Sequence, residues 1–134
     1  MLGDQVGEEK GKITSQRVLD VDPPKMEITF SGTGKFRGVE TTVTVTYWSV
    51  LSSGGVMSGE GKGMVMSRDG QEMATFTGQG IGRFVGSGKI RFVGSVFYHT
   101  ASAGKLAFLN NLVAVFEHEI DEAGIISNKF WEWK

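Results

Sequence analysis

The sequence predicts an all-β domain, an eight-stranded antiparallel up-and-down barrel, and three observations predict it. Apolar side chains alternate with a two-residue period, turn chemistry recurs at strand-length intervals, and the 20 glycines among 134 residues are about twice the ordinary usage of ~7%. Alternation is plainest where Val39, Thr41, Val43, Val45, Tyr47 and Ser49 share one parity and Glu40, Thr42, Thr44, Thr46 and Trp48 the other. Successive side chains of a strand point to opposite faces, so this stretch is a strand with one apolar face.

The first predicted strand, 12–21, begins where apolar residues start at Ile13 and ends at "DPPK"; the second, 25–35, runs from that turn to a bend at "GKFRG". The alternating run gives the third, 38–51, closed by "SSGG", and the fourth, 56–67, lies between it and "SRDG". The fifth, 71–85, carries Gly78, Gly80 and Gly82 on one parity and ends at "VGSG". Ile90, Phe92, Gly94, Val96 and Tyr98 define one face of the sixth, 88–101, which precedes "ASAG". Leu106, Phe108, Asn110, Leu112, Phe116 and His118 share a parity of the seventh, 105–121, and after "DEAG" the eighth, 125–133, sets Ile125, Trp131 and Trp133 on one face. Glycine supplies positive φ without steric cost and Asp or Ser bonds its own backbone, which makes these clusters tight antiparallel connections. No segment has a helical period. Eight sequential strands would leave two long edges unless they close, so closure into a barrel is favoured over the alternative, a β-sandwich. Residues 1–12, glycine-rich and charged with nothing to bury, are expected to be a mobile arm, and residues 13–134 the single barrel domain.

Composition narrows the function. Fourteen basic residues against fifteen acidic give a net charge of −1, so no global field draws the chain to nucleic acid or to an anionic membrane. Without cysteine there is no disulfide, thiolate nucleophile or zinc–thiolate site. The N-terminus lacks the apolar core of a signal peptide and no run of about 18 apolar residues suggests a membrane span, which makes a cytoplasmic protein the expectation.

The segment "TGQGIGRFVGSGKIRFVGSVFY", residues 77–98, holds six glycines. A phosphate-binding glycine loop opens a helix, whose N-terminal amides face the anion; no helix follows here, and neither G-x-G-x-x-G nor G-x-x-x-x-G-K-[ST] occurs. Glycines two apart on a strand instead mark positions where a neighbouring backbone or a large ring approaches closely, as tightly coiled sheets require. Related stretches at 31–38, 58–65 and 86–94 recur at irregular spacing and so form no repeat array.

"SGTGKFRGVETTVTV" and "GQGIGRFVGSGKIRF" resemble the glycine-rich G-x-G-x-F strand pair of the allene oxide cyclase and dirigent-like barrel superfamily. The resemblance implies an eight-stranded barrel that often forms dimers or trimers. It also implies an apolar interior like that in which the plant cyclases isomerise an unsaturated epoxide, positioned by polar side chains. None of their active-site residues is matched to a position here.

Candidate ligand-binding residues follow from parity, because a polar group on an apolar wall must find a partner. Tyr47, Tyr98, Asn110 and His118 meet that condition, and His118, Glu60 and Glu132 are the candidates for acid–base work. No H-E-x-x-H or other ligand spacing predicts a metal, no cofactor is implied, and no G-x-S-x-G elbow points to a serine nucleophile. Both parities are apolar in the sixth and seventh strands, and the chain ends "KFWEWK"; with no helix to cover an apolar outer face, a homodimer or homotrimer is expected. Three roles remain: binding a small apolar ligand inside the barrel, a cyclase-type isomerisation there, or a structural module with a filled interior. A cavity of about 300 Å³ or more would favour the first two and a packed interior the third.

Overall fold

The computed structural model describes residues 1–134 and shows a closed barrel of eight strands in sequence order. The strands are β1 (Leu2–Val21), β2 (Pro24–Phe36), β3 (Val39–Leu51), β4 (Met57–Ser67), β5 (Met73–Phe84), β6 (Ile90–His99), β7 (Val113–Ile120) and β8 (Ile125–Trp133). Every neighbouring pair is antiparallel, and the β1–β8 ladder closes the ring.

Two expectations from sequence are corrected. Residues 2–12 are not a mobile arm but the first half of β1, paired on one side with β2 and on the other with β8. Apolar patterning is absent there because the seam is held by the backbone. Gly7 and Gly11 keep β1 close to β2, and a Cβ at Gly7 would collide with the Phe36 ring. The terminal Met1 amine donates to the Lys134 carbonyl, and the Lys134 N–H donates to the Met1 carbonyl at 2.8 Å.

The other correction concerns 105–121. Only Val113–Ile120 is a strand; residues 100–112 form a loop with one 3₁₀ turn at Ala107–Leu109. Leu106 and Leu109, three residues apart, fall on one side of such a turn, and both are completely buried. Glu72, next to the start of β5, clamps this loop: its Oε2 accepts from the Lys105 N–H at 2.8 Å and its Oε1 from the Leu106 N–H at 3.0 Å. Hydrogen bonds to a charged acceptor are worth about 1.5–3 kcal/mol, so Glu72→Ala is expected to cost about 2 kcal/mol in urea denaturation. The same substitution should speed amide exchange at Leu106 before the strands respond.

The interior is aromatic. Phe30, Phe36, Phe76, Phe92, Phe130, Tyr47 and Tyr98 are all buried and meet edge-on or tilted, with centroids 5.3–6.3 Å apart. Rings of this size fit inside eight strands because facing wall positions lack side chains. Gly61 lies opposite Gly78, Gly59 opposite Gly80, and Gly80 opposite Gly94, a bare seam across β4, β5 and β6. A Cβ at Gly82 would sit 2.6 Å from Phe92, and one at Gly63 2.6 Å from Phe76. The glycines read from sequence as close-approach positions therefore serve the sheet.

Candidate functional site

Inward parity places His118 of β7, Asn128 of β8, Glu9 of β1 and Tyr47 of β3 in one layer of the barrel, all of them buried. They form a continuous chain. Tyr47 Oη lies 3.3 Å from His118 Nε2, His118 Nδ1 lies 2.6 Å from Asn128 Oδ1, and Asn128 Nδ2 donates to Glu9 Oε1 at 3.1 Å. The register supports it directly, since β7 and β8 pair His118 with Asn128 and β1 and β8 pair Glu9 with Asn128. The His118 ring is packed by Phe30 at 5.4 Å and Phe92 at 5.8 Å.

Removing these groups from water disfavours their charged forms. Burial pushes the Glu9 carboxyl up to about 7, against a smaller opposing effect from the Asn128 hydrogen bond. Burial lowers His118 to about 4, again partly opposed by Asn128, so its imidazole is neutral near neutral pH. The Tyr47 hydroxyl is raised by burial; Tyr98 is raised by burial first and then by the nearby Glu9 charge. Three buried polar atoms have no partner: Glu9 Oε2, Tyr98 Oη and Thr41 Oγ1.

A cavity of about 80 Å³ borders this chain. Tyr47, His118, Asn128 and Glu9 line it together with aromatic rings, and the bare strip at Gly61, Gly78 and Gly80 forms part of its wall. Typical ligand pockets measure ~300–1,000 Å³, and an apolar cavity of about 150 Å³ suffices for benzene. The space here falls short of the size expected of a full ligand pocket, and it suits only a molecule of a few heavy atoms.

Of the residues expected from sequence, Tyr47 and His118 are brought together on the cavity. Tyr98 is fully buried, but among Phe36, Phe76 and Phe130 and away from the cavity wall. Asn110 is corrected: it is exposed, in the turn after the 3₁₀ segment, and its Oδ1 accepts from the Thr100 N–H at 3.2 Å. Glu60 is exposed on the outer surface, although it borders the cavity through the strand wall. Glu132 pairs with Arg37 at 2.9 Å. No three His, Asp or Glu side chains converge as a metal site requires. Sequence reasoning missed Asn128 and Glu9. Asn128 shares parity with Ile126 and Phe130, a usable signal; Glu9 was hidden in the segment expected to be an arm.

No protein-family model matches the sequence, and no curated protein matches it. Among solved structures, the chain is similar to a conserved protein of unknown function from Rhodopseudomonas palustris, with TM-score 0.78 and 13% identity over 99% of both chains. It is also similar to a protein of unknown function from Clostridium acetobutylicum ATCC 824, with TM-score 0.81 and 14% identity over 98% of both chains. At such identities the likeness is one of fold: the chain shares its barrel architecture with these two proteins.

Proposed function

We propose that the barrel binds one small, uncharged, mostly apolar molecule beside Tyr47 and His118. The observation that carries this reading is the buried Tyr47–His118–Asn128–Glu9 chain, set against an apolar cavity and ending in an unpartnered carboxylate oxygen. Buried polar groups cost free energy that an apolar core would avoid, and titratable groups with displaced pKa values beside a cavity mark functional sites. A charged ligand is disfavoured, because it would shed its hydration among phenylalanine rings.

Cyclopropane and propan-2-ol, of three and four heavy atoms, are probes of suitable size, and titration followed by amide NMR tests the reading. Shifts confined to residues around the cavity are expected for both, and Tyr47→Phe should weaken propan-2-ol by about tenfold while sparing cyclopropane. If neither probe perturbs those residues, the interior is filled and the protein is a structural module.

A second reading, a cyclase-type isomerase, is favoured by the placement of Glu9, a carboxyl on the cavity wall with one oxygen unpartnered, which burial pushes up to about 7, the range suited to acid–base catalysis. It requires that a small unsaturated epoxide be turned over, and that Glu9→Gln abolish turnover while leaving binding intact.

The outer surface supports self-association. Ile81 faces Val93 across β5 and β6, Phe97 faces Val113 across β6 and β7, and Val115 faces Trp131 across β7 and β8. This apolar strip covers four adjacent strands, with Ile81 and Phe97 more than 40% exposed. A homodimer or homotrimer joined through it is expected in sedimentation, and Phe97→Glu should shift the population to monomer.

A further inference from the structure

The contacts of Asn128 admit two hydrogen-bond patterns with the same heavy-atom positions, and Glu9 chooses between them. An ionised carboxylate only accepts hydrogen bonds. Asn128 must then turn its NH₂ toward Glu9 and its carbonyl toward His118, whose Nδ1 carries the proton. Nε2 is left bare, Tyr47 donates to it, and the free lone pairs of the Tyr47 oxygen are what the cavity meets. A protonated Glu9 can donate instead. The amide then turns over, its oxygen accepting from Glu9 and its nitrogen donating to Nδ1, so the imidazole proton moves to Nε2 and bonds the Tyr47 oxygen. The phenolic hydrogen is released. Relative to the first pattern one proton is added, at Glu9, and His118 keeps one proton throughout.

We propose that Asn128 couples the protonation of Glu9 to the tautomer of His118, so that Tyr47 offers the cavity an acceptor when Glu9 is ionised and a donor when it is not. Resting on the cavity being a ligand site, this assigns the ligand class for each state. Hydroxyl compounds, which both donate and accept, are taken in either state, whereas ketones and other pure acceptors are taken only when Glu9 is protonated.

The groups that face Glu9 inside the barrel are few. Tyr98 comes from β6, His118 from β7, the neutral Asn128 from β8 and Tyr47 from β3 at the far end of the chain. The neighbouring charges Glu8 and Lys10 on β1, Lys35 on β2 and Lys129 on β8 are exposed on the outer surface. His118 loses its positive charge at about 4 and Glu9 loses its proton, becoming negative, at about 7, which leaves an interval where the imidazole is neutral and Glu9 is still protonated.

Long-range ¹H–¹⁵N correlation of the His118 ring, across pH, reads the tautomer directly. The expected result is Nδ1–H above the Glu9 transition and Nε2–H between the Glu9 and His118 transitions. Asn128→Leu should make the tautomer independent of Glu9, and the wild-type titration decides the matter if that variant does not fold. In a parallel titration acetone should bind at least about tenfold more tightly below the Glu9 transition, while propan-2-ol changes little, since an unmatched buried carbonyl costs that much. A tautomer that stays fixed while Glu9 titrates overturns the coupling, whatever the cavity binds. A tautomer that switches while neither probe enters upholds the coupling and overturns the reading of the cavity as a ligand site.

Discussion

Glu9→Gln is expected to expose an acid-sensitive stability that the native protein conceals, and replacing His118 by phenylalanine should expose the opposite sensitivity. Glu9 titrates at about 7 in the fold against 4.5 as a model group, so its favourable contribution is complete below about 4.5 and is lost as pH rises to about 7. His118 titrates at about 4 against 6.5, so its contribution is complete above about 6.5 and is lost as pH falls to about 4. Over the shared interval the two dependences oppose one another, and each alone amounts to roughly 3 kcal/mol. Urea denaturation of the native chain should therefore give a nearly level stability between about pH 4.5 and 6.5. Glu9→Gln should lose stability steadily toward acid and His118→Phe toward neutrality. Parallel profiles for all three proteins would show that the two groups do not titrate as their burial requires.

Gly94→Ala should be among the most damaging single substitutions in the chain. A Cβ there would run into the carbonyl of Gln79 and come 2.6 Å from the Cα of Gly80, both backbone atoms of the paired strand β5. A side chain could rotate away; a hydrogen-bonded neighbouring strand cannot. Overpacking ordinarily costs 1–3 kcal/mol, and with rigid backbone as the obstacle a loss of about 3 kcal/mol or more is expected, lowering the melting temperature by about 10 °C. Gly54→Ala, in the open β3–β4 turn where an added Cβ meets nothing within 4 Å, should be close to neutral and serves as the control. Equal melting temperatures for the two variants would contradict the close approach of β5 and β6.

Much of this architecture is legible in the residues because parity and burial coincide. In β3 the residues from Thr41 to Ser49 alternate without interruption between buried and less buried positions. The same rule places His118 and Tyr47 inside, and it puts the glycines of β5 against the rings they accommodate. It fails in the first half of β1, residues 2–12, where pairing to both neighbours satisfies the backbone and Val6 is the lone apolar side chain that is buried. It fails again at 105–112. Leu106, Phe108, Asn110 and Leu112 alternate as a strand would, yet two of the buried side chains, Leu106 and Leu109, obey a three-residue spacing, and Asn111 at φ 59° reverses the chain. Asn128 and Glu9 escaped notice for a related reason. Their significance lies in a contact between residues 119 positions apart, and pairing across a closed ring is not written in any local pattern.

That ring has a kinetic corollary. Seven of the eight ladders join strands adjacent in sequence and can zip as successive hairpins, but the eighth joins Leu2 to Trp133 and Lys12 to Ile125, nearly a whole chain length apart. Loop-closure entropy must be spent before that last ladder returns anything, so the meander should assemble first as an open, two-edged curtain and the β1–β8 stitch should come late. Substitutions along the stitch are then expected to accelerate unfolding and leave the folding rate nearly untouched.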